Sequence, residues 1–291
     1  MLPPTKPHRV PPPVARPRLE KRRYVRWPVS SPPIGIFDSG VGGLSVLREI
    51  RSAMPAESLR YVADSANAPW GDKPADYVRR RGLEIADFLV GQGVKAIVIG
   101  SNTGTAGAAE ALRAKLTIPV VGMEPGIKPA AGMTRSGVVG AIVTATMGAS
   151  DRMASLLDRF GRDVRVISVP APGLVEHVEA ADLDSSDLRR LVESYINPLL
   201  DAGADTIVLG STHYVFLRPL IASIAGDSVM IVDTGAAVTR QLEHVIQARG
   251  LAAPPGAIAD ERFWTSGDAA DSERVMSTLL GRQVRVKTLG V

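Results

Sequence analysis

Two short stretches carry side chains that could do chemistry at matched positions. Residues 97–104 read IVIGSNTG and residues 207–214 read IVLGSTHY, so a β-branched run, Gly-Ser and a small polar turn recur 110 residues apart. Ser101, Asn102 and Thr103 in the first copy, and Ser211, Thr212 and His213 in the second, supply hydroxyl, amide and imidazole groups. The spacing is too long for a solenoid repeat. It fits two similar domains that each contribute one edge of a shared site. His213 is either an acid or base of that site or a structural hydrogen-bonding residue. Asp38, between a strand and a Gly-rich turn, is a cap or a cleft carboxylate. Glu176, in PGLVEHVE, faces the cleft or solvates a helix.

The positioning elements follow from the apolar pattern. From Ile34, short apolar runs (IGIFD, LRYVAD, KAIVIG, IPVVGM) alternate with helical stretches such as DYVRRRGLEIADFLVGQG. The alternation restarts at Gly137 with VVGAIVTA, helix MGASDRMASLLDRFG and strand DVRVISV. Nearly all-apolar strands alternating with helices predict parallel sheets covered on both faces. The expected fold is α/β: two similar three-layer domains with mostly parallel sheets facing each other across a central cleft. Polar turns recur where strands hand over to helices: FDSG, GSNTGTA, TATMG, GSTHY and VDTG. In such sheets ligands bind beyond the carboxyl ends of the strands, where helix N-termini offer N–H groups to anions. Any single turn could be plain N-capping; five converging turns point to a cleft for an anionic ligand.

Bulk properties narrow the field. At 291 residues the chain can form two compact domains. No apolar run reaches membrane-spanning length, and no secretory apolar core opens the chain, so a cytoplasmic protein is expected. Residues 1–33 carry a net +7 and ten of the 22 prolines, which leaves residues 34–291 at −3. A disordered tail is expected there, with at most weak electrostatic contact to nucleic acid. The chain has no cysteine, which removes disulfides, thiolate zinc sites and thiol catalysis. FDSGVGGLS lacks the Lys of a Walker loop and has Ser45 where a dinucleotide fingerprint needs its third Gly. The four histidines show no metal spacing, and no metal site is expected.

The ordered motifs IGIFDSGVGGLSVLREI, YVADSANAPWGDK, IVIGSNTGTA, IPVVGMEPGIKPA, PGLVEHVE, DTIVLGSTHY, IVDTGAAVTRQL and FWTSGD resemble the glutamate racemases of the aspartate/glutamate racemase superfamily. The resemblance runs from Ile34 to about Gly281. It implies a cofactor-independent isomerase that interconverts L- and D-glutamate for peptidoglycan synthesis. It implies a first domain of 34–127 plus 234–291, a second of 128–233, an acidic amino acid as ligand, and a homodimer as the family's frequent state. Position by position, Asp38 and Ser39 would meet the substrate's amino end. Asn102, Thr103, Thr105 and Thr212 would bind carboxylate and amine groups. Pro69, Trp70 and Gly71 match a Pro-Tyr-Gly segment with a larger ring, and Thr144, Thr146 and Met147 replace a more polar turn.

One departure governs the chemistry. Ser101 and Ser211 stand where the family has its two acid/base cysteines, one for each face of the substrate's α-carbon. A free thiol has a pKa of about 8.5, and an aliphatic hydroxyl lies on the order of five units higher, so its alkoxide costs roughly 7 kcal/mol more. Carried into the barrier, that is about five decades of rate. Three readings follow: an impaired racemase that borrows His213, Asp38 or Glu176 as base; a glutamate-binding regulatory paralogue; or a hydrolase in which Ser101 or Ser211 works with His213. Gly100 and Gly104, at positions where the family has alanines, mark a divergent paralogue.

Overall fold

The computed structural model describes residues 31–161 and 163–290. Most of the expected tail lies outside them. Along the chain, β1 (Ile34–Asp38), α1 (Leu44–Ala53), β2 (Leu59–Ala63), α2 (Ala75–Gly91), β3 (Ala96–Ile99), α3 (Asn102–Lys115) and β4 (Val120–Val121) form a first winding. A second follows: α4 (Ile127–Met133), β5 (Val138–Val143), α5 (Ala145–Gly148), α6 (Asp151–Phe160), β6 (Arg165–Pro170), α7 (Leu174–Glu179), α8 (Ser186–Asp201), β7 (Thr206–Leu209), α9 (Arg218–Ala225) and β8 (Met230–Val232). The chain ends with α10 (Gly235–Ala248), β9 (Glu261–Thr265), α11 (Ala269–Leu280) and β10 (Val286–Thr288). The result is two sheets, six-stranded β10-β9-β2-β1-β3-β4 and four-stranded β6-β5-β7-β8. Every strand pair in both is parallel.

The period-2 alternation of apolar side chains explains how both faces of each sheet are covered. In β3, Ile97 and Ile99 pack with α2 and α3, whereas Ala96 and Val98 turn to the opposite cluster with α1, α10 and α11. In β5, Val139, Ala141 and Val143 join Ile127, Ala130, Met153 and Leu156 of α4 and α6. Ile142 faces the other way, into a core that runs on to α8 and α9. That core is continuous between the sheets, because Val41, Tyr61, Tyr214 and Phe216 belong to it as well.

Two local expectations change. The single helix expected over 147–161 is split in two, because the Ser150 hydroxyl accepts the Met153 N–H at 3.2 Å and starts a new helix there. The strand expected over IPVVGM keeps only Val120 and Val121: Pro119 has no N–H to donate, although its carbonyl still accepts the Ile97 N–H at 2.9 Å, and the segment from Gly122 turns away. No helix among the described residues is long and apolar enough to cross a membrane.

The first sheet is closed at one end by a buried ion pair. Lys95 Nζ lies 2.5 Å from Glu57, and both side chains are 4% exposed. The ammonium also donates to the Leu251 carbonyl at 2.7 Å, and Glu57 Oε1 accepts the Ala253 N–H at 2.8 Å, so the pair anchors the segment after α10. Removing one partner of such a pair strands the other charge. Glu57→Gln is therefore expected to lower unfolding free energy by about 3–5 kcal/mol in urea titration. A loss of under about 0.5 kcal/mol would show that the pair is not a structural clamp.

Candidate active site

The carboxyl ends of β1, β3, β5 and β7 open onto one cavity of about 230 Å³. That is small against pockets for drug-sized ligands and suits a metabolite of a few heavy atoms. From the first sheet it receives Asp38 and Ser39 after β1, Pro69, Trp70 and Gly71 from the loop after β2, and Ser101, Asn102 and Thr103 after β3. From the second come Thr144, Thr146 and Met147 after β5, Glu176 on α7, and Ser211, Thr212 and His213 after β7. Every site residue expected from the sequence except Thr105 thus lines one cavity. Thr105 sits one turn into α3, where its hydroxyl donates back to the Ser101 carbonyl at 2.8 Å and accepts the Met123 N–H at 3.0 Å. A Thr inside a helix commonly back-bonds in this way. Its hydroxyl is committed to holding the crossover segment.

The two Gly-Ser turns touch. Asn102 Nδ2 donates to the Gly210 carbonyl at 2.9 Å, from one copy of the phrase to the other. Its Oδ1 is buried with no partner among the described residues, on a residue that lines the cavity. In return Thr212 Oγ1 reaches Asp38 Oδ2 at 3.5 Å.

Each serine has an ionisable group behind it. Ser101 caps α3, accepting the Gly104 N–H at 3.1 Å, and its hydroxyl stabilises the Asp38 carboxylate. Asp38 is fully buried, and its oxygens accept from the N–H groups of Ser39 and Gly43, both at 2.6 Å. Burial raises its pKa; His213 and the Ser39 N–H offset that only in part. Ser211 Oγ lies 3.4 Å from His213 Nδ1. On the ring's other side, Nε2 is 2.6 Å from Glu179 Oε1, which also accepts the Val41 N–H at 2.9 Å. An ionised carboxylate only accepts, so Nε2 carries the proton and Nδ1 is turned toward the serine. Burial works against the imidazolium, but the Glu179 hydrogen bond and the charges of Glu179, Asp38 and Glu176 outweigh it, so the His213 pKa is raised.

Glu179 escaped the sequence reading, which singled out Glu176 three residues earlier. The signal was available in the Gly-rich turn that matched no phosphate motif. A Cβ on Gly40 would lie 1.9 Å from Glu179 Oε1, and one on Gly42 would lie 2.4 Å from His213 Nδ1. These glycines make room for an ion pair, not for a phosphate.

No Lys or Arg among the described residues lines the cavity. What it offers an anion is backbone. The N–H groups of Asn102 and Thr103, of Ala145 and Thr146, and of Ser211 and Thr212 have no acceptor among the described residues. These pairs of open donors are those expected where helices begin. The Trp70 loop closes one side: the indole N–H donates to the buried Asp64 at 3.0 Å, and Arg81 clasps the same carboxylate at 2.8 Å.

Strand ends from two parallel sheets, carrying a hydroxyl backed by an ionisable group on each side, make a site that can address one small anion from two faces. The chain belongs to the Asp/Glu/hydantoin racemase family, whose model matches residues 34–242. It is 52% identical over 258 residues to the glutamate racemase of Ectopseudomonas mendocina, covering 88% of this chain and 98% of that protein. The glutamate racemase of Pseudomonas aeruginosa PAO1 is 50% identical over 264 residues, covering 90% and 99%. A Bacillus anthracis glutamate racemase isoform superposes with a TM-score of 0.80 at 31% identity, over 89% of this chain and 98% of that one. The Escherichia coli glutamate racemase, solved with L-glutamate and the activator UDP-MurNAc-Ala, gives 0.79 at 28% identity, over 89% and 98%.

The Glu179–His213 pair has a thermodynamic signature. A histidine whose folded pKa is raised contributes stability that is full below its unfolded value near 6.5 and lost as pH rises through the folded pKa. In urea titrations, wild type is expected to exceed Glu179→Gln by most near pH 6 and by progressively less at alkaline pH. A gap that stays constant or widens with pH would refute the charged pair.

Proposed function

We propose that the chain binds glutamate in this cleft as a racemase-type isomerase whose α-proton transfers are slowed by hydroxyls on both faces. The observation that carries the reading is the matched pair: Ser101 with Asp38 behind it, and Ser211 with His213 and Glu179 behind it, on turns linked by Asn102 and Gly210. The open amides after β3, β5 and β7 take the two carboxylates, and the unpartnered Asn102 Oδ1 together with Asp38 takes the ammonium. Glutamate is the substrate named for the relatives and the ligand in the E. coli structure. The chain would then divide into units 34–127 plus 234–291 and 128–233, so that closure brings one hydroxyl to each side of the α-carbon. Its product would be D-glutamate for peptidoglycan.

The same arrangement serves a binding paralogue, since recognition uses amides and an amide side chain while turnover needs a base. The hydroxyl penalty separates the two. A proton held by His213 or Asp38 must pass through a serine that is about five pKa units too weak an acid to relay it well. Thiols in both places should restore the rate. At Ser101 there is room, because residue 104 is glycine and a Cβ there would come within 2.8 Å of the hydroxyl oxygen. The Ser101→Cys/Ser211→Cys double variant, followed by circular dichroism of L- and D-glutamate, is expected to racemise faster than wild type by several decades, up to roughly five. A double variant that binds glutamate yet racemises no faster would sink the proposal.

A further inference from the structure

A hydrolase built on Ser211 and His213 needs a third group to orient the imidazole, and Glu179 is placed to do so. We propose that Ser211, His213 and Glu179 form a nucleophile–base–carboxylate relay that cleaves small carboxylic esters of acidic amino acids through an acyl-enzyme. The acidic-amino-acid part of that substrate rests on the function proposed above; the acyl step does not.

Geometry favours Ser211 over Ser101. Ser211 Oγ faces Nδ1 at 3.4 Å, an approach that tightens when a substrate is bound, and that nitrogen becomes the base once the imidazolium has lost its proton. The opposite nitrogen is locked to Glu179 at 2.6 Å, and that carboxylate is itself held by the Val41 N–H. Ser101 instead caps α3, and the group behind it is a buried carboxylate whose oxygens already accept two amides. The Ser211 and Thr212 N–H groups, beside the nucleophile and without acceptors among the described residues, are the donors for a developing oxyanion. In α/β-hydrolases the backbone N–H of the residue after the nucleophilic serine plays this part.

The step balances with water alone as co-reactant. The Ser211 oxygen bonds to the ester carbonyl carbon, its proton moves to His213 Nδ1, and the carbonyl π pair becomes the oxyanion. Collapse breaks the bond to the alkoxide, which leaves with the proton from Nδ1. Water then repeats the sequence on the acyl-enzyme, releasing acid and freeing Ser211. Glu179 is a positioning residue: it holds the tautomer and supports the transient imidazolium. The charged groups facing His213 are Glu179 and Glu176 on α7 and Asp38 on β1, all acidic. Acylation should therefore rise with pH as the imidazolium gives up its proton.

The probe is p-nitrophenyl acetate with the full chain, read as a nitrophenolate burst and as acetyl located by peptide mass spectrometry. Acetyl on Ser211 is expected, with the burst rate falling by at least about 10² in Ser211→Ala. In Glu179→Gln the pH inflection should move lower, which a merely structural role for Glu179 would not produce. Acetyl on lysines or other serines alone, or a burst undiminished in Ser211→Ala, overturns the relay. An unmoved inflection in Glu179→Gln removes Glu179 from it. Excess glutamate should protect Ser211; acylation without protection overturns the acidic-amino-acid substrate class while leaving the acyl step standing.

Discussion

The two sheets meet where a bare stretch of backbone presses on an ion pair. Gly40 and Gly42 bring the loop after β1 so close to Glu179 and His213 that neither position has space for a side chain. The Val41 N–H between them bonds the same carboxylate oxygen that holds the imidazole. One contact thus aligns the sheets, fixes which face of His213 looks at Ser211, and sets the electrostatics of the cleft. Asp38, on the facing strand, shares in it through His213 and through the Thr212 hydroxyl. Because Asp38 and His213 are buried and Glu179 is only partly exposed, their charges act on one another with reduced solvent screening. A change in one protonation state is felt by the others.

The doubled Gly-Ser phrase expresses that constraint twice. Parallel strands end at one edge of each sheet, so the turns that follow collect there, and with them the first N–H groups of the helices. This is how the cleft could receive an anion with no Lys or Arg among the described residues of its lining. It also separates recognition from turnover. The amides, Asn102 and the Trp70 loop are backbone or firmly held groups that a change at Ser101 or Ser211 leaves in place. Under the function proposed above, what the two serines would alter is the acidity of the groups aimed at the substrate, and there about five pKa units would dominate any adjustment in packing.

Much of this was legible in the residues. The all-apolar strands gave parallel, doubly covered sheets, and the polar strand-to-helix turns marked the cleft, because both follow from local periodicity. What escaped depends on contacts between distant segments. Glu179 is one exposed-looking carboxylate on a six-residue helix until the fold sets it against His213, 34 residues on. Thr105 looks like a site residue by its nearness to Ser101, but helix geometry and its bond to Met123 turn it away. The break at Ser150 was a capping choice inside a segment whose apolar period ran straight through.

The central claim is that this cleft presents a substrate α-carbon to a weak base on each face. Proton NMR of L- and D-glutamate in D₂O with the wild-type chain tests it most directly, by line broadening and loss of the α-proton signal. Broadening for both enantiomers and slow α-proton loss from each, above a protein-free control, are expected. Neither broadening nor exchange from either enantiomer would contradict the claim, and glutamate would no longer be the ligand of this site.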